Sequence, residues 1–396
     1  MTGPDRRWTI LAVLFVARAA MAFQFQSVAA LAPELGRTIG TDLADLGLLI
    51  GLYLAPGMVL AWPGGALGRR FGDKTVVLAG LALMLAGEIL AAASPAWAVQ
   101  ILGRLVAGTG GVLLNVLTAK MIADWFAGRA IATAMAIFVG SWPAGLALAL
   151  LILPPMGLAF GLGAVHASVI GLIAIAAGLV AGAYRSPPGP VAAPAGGHGA
   201  LAVPEAGAVL AAGSLWSLYN IGLAMVFSFG PAMLAERGWS GAIPGSLVSL
   251  VLWLVLLSVP LGGRLADRSG RGGAILCAGC LAFAALLILL PRCGSVLPVV
   301  LALGIVAGLP AGAIMSLPAR VLAPQDRAVG MGLFFTIYYA GMLIGPLLGG
   351  EIAVRAGNVG AALDFGAAVL LACPVMLGVF HLAAPRARRG TPAQAR

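Results

Sequence analysis

Acidic residues are scarce in this chain: 13 Asp and Glu among 396 residues, against 23 Lys and Arg, so that charged side chains make up only 9% of it. Soluble domains carry about 25%. A water-soluble fold of this length would lack the charge to cover its surface, whereas in lipid an apolar exterior is the stable one. Cysteine is rare too. Cys277, Cys280, Cys293 and Cys373 lie in or beside apolar runs. The C-x-x-C spacing of the first two has no second pair and no nearby His to complete a zinc site. They read as small apolar fillers, and no metal or cofactor is expected. There is no P-loop with its Lys, which excludes ATP as a direct energy source within this chain, and no nucleophile elbow. An enzyme is therefore not expected. The net charge of +10 does not point to nucleic acid, because the basic residues form short clusters between apolar runs rather than one stripe.

What the chain has in abundance is apolar sequence, 61% of the total. A spanning helix needs roughly 20 mostly apolar residues. Six such runs lie at about 8–33, 46–67, 75–94, 97–119, 130–154 and 163–184, and six more at about 206–234, 242–262, 273–291, 295–318, 328–350 and 361–384. Between the sets lies RSPPGPVAAPAGGHGALAVP, a Pro/Gly-rich linker with nothing to pack. The expected fold is an all-α membrane protein of twelve transmembrane helices in two pseudo-symmetric six-helix bundles: residues 1–185, a cytoplasmic linker at 186–204, and residues 205–396 ending in a basic tail. Arg6 and Arg7 before the apolar run from Trp8 imitate a signal peptide, but cleavage would make the helix count odd, so the run is read as an uncleaved first span.

Lys and Arg set the orientation. With the N-terminus inside, the inner segments hold Arg6, Arg7, Arg69, Arg70, Lys74, Lys120, Arg129, Arg185, Arg264, Arg268, Arg271, Arg320, Arg327, Arg386, Arg388, Arg389 and Arg396, and the outer ones only Arg37, Arg237, Arg292 and Arg355. That bias predicts both termini on the cytoplasmic side of a cell inner membrane. The halves also repeat one another. Val106-Ala107-Gly108 returns as Val306-Ala307-Gly308, and the loop from Gly65 to Lys74 as that from Gly263 to Gly272. Two joined repeats suggest alternating access between halves.

These loops resemble the signature of the major facilitator superfamily, G-x-L-x-D-R-x-G-R-R. The second copy keeps Gly263, Leu265, Asp267, Arg268, Gly270 and Arg271. The first keeps Gly65, Leu67, Arg70, Gly72 and Lys74, but Arg69 stands where the acid belongs and Asp73 where a base belongs. Arg104-x-x-x-Gly108-x-Gly110 resembles the family's fourth-helix motif, and the resemblance covers essentially the whole chain. It implies a secondary transporter, usually monomeric, whose loop charges pair in one state and part in the other. Gly341-x-x-x-Gly345-Pro346 resembles the glycine–proline motif of the family's antiporters, but on the eleventh helix instead of the fifth, where only the weaker Gly140-Ser-Trp-Pro143-Ala-Gly145 stands; export is not inferred from it. Asp124-Trp125-Phe126 followed by Arg129, taken with Arg18, resembles cyanate/nitroimidazole-type permeases. Lys120 and Asp124, spaced i, i+4, are also placed to pair with each other.

Ionisable residues at membrane depth are costly and usually functional. Arg18 falls about 15 Å into the first helix at helical rise. Its fork suits a planar or carboxylate-like anion; the alternative is hydrogen bonding to helix carbonyls or Gln side chains. Glu88 and Arg104 lie at similar depth on neighbouring helices and are expected either to pair or to couple protons. Gln24, Gln26, Asn115 and Asn220 are candidate hydrogen-bonding groups for the solute, and Trp142, Tyr219 and Tyr338 candidate cavity walls. Packing is the competing role for the aromatics and interhelical bonding for the Asn residues. The reading is a proton-coupled carrier of a small, anionic solute. The alternative is an exporter of hydrophobic or drug-like compounds by proton antiport. A channel would need a continuous polar lining, and these helices show only scattered polar residues.

Overall fold

The computed structural model describes residues 4–30, 32–126, 131–186, 201, 203–322 and 327–390. The chain runs through α1 (Pro4–Ala30), α2 (Ala32–Ile39), α3 (Leu43–Leu54), α4 (Gly57–Phe71), α5 (Asp73–Ala93), α6 (Trp97–Trp125), α7 (Ile131–Ala183), α8 (Val203–Glu236), α9 (Ile243–Ser269), α10 (Gly272–Leu289), α11 (Val296–Met315), α12 (Arg327–Ala356), α13 (Gly360–Leu371) and α14 (Cys373–Gly390). Lipid offers backbone groups no partners, so each span satisfies them internally as helix. Among the described residues eleven helices are long and apolar enough to cross a membrane. One of them, α7, is two spans: Gly161, at φ 77° and ψ 177°, lets the chain reverse. His166 beyond the turn meets Glu88 of α5, and the Tyr184 carbonyl accepts from Lys74 at the start of α5. The crossings therefore number twelve. The spans α3–α4 and α13–α14 are each interrupted once within the expected run. The short helix α2 follows the first span; the apolar run to residue 33 had concealed it.

Twelve crossings return the chain to its starting side, called here the terminal face. There Trp8 packs edge-on against Phe126, and the Trp125 indole donates to the Arg185 carbonyl. The opposite, distal face holds the turns after α1, α8 and α12. Asp42 opens α3 there with a reciprocal capping box to Asp45.

Contacts between the first six and last six spans run from the distal face to mid-depth. Glycines let α3 and α12 touch backbone to backbone. A Cβ on Gly51 would lie 2.5 Å from the Leu343 carbonyl oxygen, and Gly350 abuts the Leu43 carbonyl. Ser249 of α9 donates to the Ala147 carbonyl of α7 at 2.8 Å, and Gln26 of α1 to the Phe227 carbonyl of α8 at 2.6 Å. The halves are thus clamped on the distal side. The linker at 186–204 and the tail from 391 fall almost wholly outside the described residues.

Candidate functional site

Prolines explain where two polar side chains of α1 go. A proline inside a helix has no N–H, so the carbonyl four residues earlier loses its donor. Pro143 of α7 frees the Val139 carbonyl, and Arg18 Nη1 donates to it and to the Phe138 carbonyl, both at 3.1 Å. Pro231 of α8 frees the Phe227 carbonyl, which Gln26 takes. Arg18 and Gln26 therefore face different helices, one in each half, rather than a shared cavity.

Arg18 is half-buried. Besides the two carbonyls, its Nε donates to Asn115 Oδ1 at 2.8 Å and its Nη1 reaches Ser141 Oγ at 3.3 Å. Its guanidinium carbon sits 4.9 Å from the centre of the Phe138 ring and 5.9 Å from that of Trp142. Asn115 Nδ2 in turn donates to the Tyr339 hydroxyl at 3.0 Å, joining the halves at mid-depth. Among the described residues no carboxylate lies within ion-pair reach of Arg18, and its Nη2 makes no hydrogen bond. The cation is oriented by neutral oxygens and rings, and one edge of its fork is uncommitted. Facing it from α12, Tyr338 packs 5.1 Å from Tyr339 and 6.3 Å from Trp216, whose indole N–H is buried without a partner.

A second polar cluster lies towards the distal face, and it corrects the expected Glu88–Arg104 pair. Arg104 instead spends its guanidinium on carbonyls: Leu49 at 3.0 Å, Gln24 at 3.1 Å and Phe25 at 2.8 Å, with the Tyr53 ring 4.9 Å away. Glu88 is 4% exposed. Its Oε2 accepts from Gln24 Nε2 at 2.9 Å, and its Oε1 lies 2.7 Å from His166 Nδ1. Gln24 is fully committed: Nε2 also donates to the Met84 carbonyl, and Oε1 accepts from the Tyr53 hydroxyl. Glu88, Arg104, His166, Gln100 and Ser27 line a cavity of about 20 Å³, room for one water. His166 and Tyr53 were missed in the sequence, where a lone His in an apolar run carries no spacing signal.

The remaining candidates separate. Tyr219 is buried, its hydroxyl donating to the Ala307 carbonyl at 2.7 Å; Asn220 Nδ2 donates to the Trp216 carbonyl of its own helix. Trp142 packs on Phe25 as well as on Arg18. In the first signature loop Gly65 lies in α4, Gly72 takes φ 83° between α4 and α5, and Arg70 lies over the Phe71 ring. The displaced acid Asp73 finds a cation of its own half: Lys120 bridges it at 2.6 Å and Asp124 at 3.0 Å. In the second loop Gly263 lies in α9, Gly270 caps that helix at φ 63°, and Arg268 and Arg271 are exposed. The side chains of Asp267 and Arg69 lie outside the described residues.

A bundle of twelve crossings with polar side chains gathered at mid-depth has the build of a membrane carrier. The chain belongs to the Major Facilitator Superfamily, whose family model matches residues 14–230 and again 208–396. Similarity to individual proteins is local. The Methylenomycin A resistance protein of Bacillus subtilis (strain 168) is 31% identical over 121 residues, 27% of this chain and 26% of that protein. Solute carrier family 22 member 18 of Rattus norvegicus is 29% identical over 163 residues, 40% and 39% of the two chains. The quinolone resistance protein NorA of Staphylococcus aureus (strain MRSA252) is 28% identical over 140 residues, 34% and 36%. The chain thus matches only about a quarter to two-fifths of the length of these relatives. The fold is shared throughout with a bacterial homologue of the human lysosomal transporter Spinster, solved inward-facing and occupied: TM-score 0.75 at 16% identity over 98% of both chains. None of these is a cyanate or nitroimidazole permease, and that narrower resemblance still rests on the residues that suggested it.

Proposed function

We propose that this superfamily member is a secondary active carrier of a small anion, working by alternating access and coupled to protons. It sits in the cell inner membrane as a monomer with both termini cytoplasmic, and residues 1–185 and 205–396 are its moving halves. One observation carries the reading: a guanidinium at mid-membrane, held by Asn115, the proline-freed Val139 carbonyl and the Phe138 carbonyl beside it, with no carboxylate in reach among the described residues and one edge free. An uncompensated cation at that depth is costly, and an anion with planar, paired oxygens would offset the cost in a way that an apolar solute would not. Asn115 holds the guanidinium in register, while Trp142 and Tyr338 bound the space. Glu88 is the acid that takes the coupling proton. The loop from Gly65 to Asp73 and that from Gly263 to Arg271 form the terminal-face gate, with the Lys120 bridge as the first half's share of it.

The relatives named as resistance proteins favour a second reading, export of a lipophilic compound. Proteoliposome uptake of benzoate, formate, cyanate and nitrate under an imposed pH gradient separates the two, with Arg18→Ala beside the wild type. The anion carrier predicts gradient-driven uptake of at least one of these, lost at least tenfold in the variant, since an ionic hydrogen bond contributes about 1.5–3 kcal/mol. Expulsion of a lipophilic dye with Arg18→Ala still active, and no anion moved, would establish the exporter.

A further inference from the structure

We infer that Glu88 and His166 together form a proton-binding site, apart from Arg18, whose occupancy sets the grip of α1 on the distal seam. The inference deepens the proton-coupled reading above and rests on it. The pair is graded in exposure: the His166 side chain is 19% accessible and that of Glu88 5%. The imidazole is thus the more accessible end of the pair and the carboxylate the inner end, beside a water-sized cavity. Histidine is the side chain whose charge changes near neutral pH.

The charges leave room for one proton. Among the described residues, the other titratable groups facing the pair are Arg104 from α6 and Tyr53 from α3; α1 presents Gln24 and Ser27, and α2 presents Leu35. With Glu88 ionised, Arg104 charged and His166 neutral, the cluster sums to zero. One added proton makes it +1, either as imidazolium against carboxylate or as a neutral acid against imidazole. No bond other than the N–H or O–H to that proton forms or breaks.

Gln24 converts the proton into movement. Its orientation is fixed, because Nε2 faces two acceptors, Glu88 Oε2 and the Met84 carbonyl, while Oε1 faces the Tyr53 hydroxyl. A proton drawn onto either member of the pair weakens the pull of Glu88 on the amide, and a proton on Oε2 removes the acceptor outright. Gln24 belongs to one turn of α1 with two other grips. Its own carbonyl and that of Phe25 hold Arg104, and Gln26 holds the Phe227 carbonyl across the seam. Loosening Gln24 therefore bears on the contact that clamps the halves, and Arg18 rides the same helix. Two sites biasing one two-state element is the physical content of coupling.

The test reads the seam without any solute. Spin labels at Ala96→Cys and Ser240→Cys, exposed distal positions in the two halves, are introduced after Cys277, Cys280, Cys293 and Cys373 are replaced. Double electron–electron resonance then measures their separation in nanodiscs from pH 5 to pH 8. The closed-to-open ratio of the wild type should change by about tenfold or more, equivalent to about 1.4 kcal/mol. Glu88→Gln and His166→Asn should each abolish the change, and Arg18→Ala should keep it. A wild-type separation indifferent to pH, or a His166→Asn protein that still responds, overturns the inference. Should either variant fail to fold, ¹⁵N-histidine spectra of the wild type decide. The chain has three histidines, and a His166 signal that does not titrate with the seam's midpoint refutes the site. A pH-responsive seam in a protein that moves no anion would sink the anion reading alone.

Discussion

The two halves of this molecule share a fold but not a chemistry. Buried polar residues of the first six spans are amides and charges, Gln24, Gln26, Glu88, Gln100 and Arg104, with Ser27, Thr118 and Ser141. Those of the last six are Ser217, Ser228, Ser249 and Ser258, with Glu205 at the start of α8. In place of charge the second half carries rings: Trp216 stacks on Tyr219 and Phe334, and Phe335 packs on Tyr338. Helices in lipid gain nothing from hydrophobic contact with one another, so their association depends on close packing and interhelical hydrogen bonds. The first half makes its interhelical bonds with buried amides and charges, whereas the second makes them with hydroxyls and adds a larger ring stack. Each half should then fail differently when cut, and the proposed site, which rests on charge, lies on the first.

The largest effect should come from the first half's centre. Arg104→Leu deletes donors to three carbonyls on two helices and leaves the Glu88 carboxylate buried without its nearby cation. Breaking such a buried arrangement costs about 3–5 kcal/mol, and thermal unfolding in detergent should show it as a markedly lowered midpoint. Combining it with Glu88→Leu should recover part of the loss; no recovery would mean that Arg104 works through the carbonyls alone. Next comes the seam between the halves. Gly350→Val drives a side chain into the Leu43 carbonyl, an overpacking of about 1–3 kcal/mol felt only when the distal side is closed. The Ala96–Ser240 label separation should widen while the unfolding midpoint moves little; a seam that still closes would show that α3 and α12 have room to part. In the second half Tyr219→Phe removes one hydroxyl from the Ala307 carbonyl and keeps the ring stack, so it should cost only about 1 kcal/mol by the same unfolding assay. A loss as large as that of Arg104→Leu would break the contrast between the halves.

The spans and their number were legible in the sequence because lipid enforces one solution per apolar run. The break between the runs at 130–154 and 163–184 and the family motifs were legible for the same reason: breaks and charges punctuate an otherwise apolar text, though the glycine that makes the turn, Gly161, was not singled out. Arg18 could be singled out by depth alone. Its partners were partly readable too, since Pro143 and Pro231 each leave an acceptor four residues back, and α1 offers a donor to both. The Glu88–Arg104 pairing failed because depth gives height in the membrane but not azimuth. Arg104 turned towards α1 and α3, and Glu88 towards α7. Nothing in the spacing of His166 said that a chain reversing at Gly161 would bring it back beside α5.

The smallest effect should lie where a charge pair looks best on paper. Arg292, in the turn between α10 and α11, makes a bidentate bond to Asp364 of α13, both contacts at 2.7 Å. The geometry matches what makes guanidinium–carboxylate pairs strong. Yet the Arg292 side chain is 54% accessible and that of Asp364 38%, so water and salt screen the attraction and compete for both groups. Arg292→Ala should therefore shift stability by less than about 1 kcal/mol, and that small loss should fade as salt is raised towards 1 M. Arg18 and Arg292 would then stand as opposites among the arginines: one without an acidic partner at mid-depth and indispensable to transport, the other fully paired at the distal edge and nearly silent. A loss at Arg292 that is large and indifferent to salt would mean that the edge of the second half is drier than its exposure suggests, and that charge supports both halves after all.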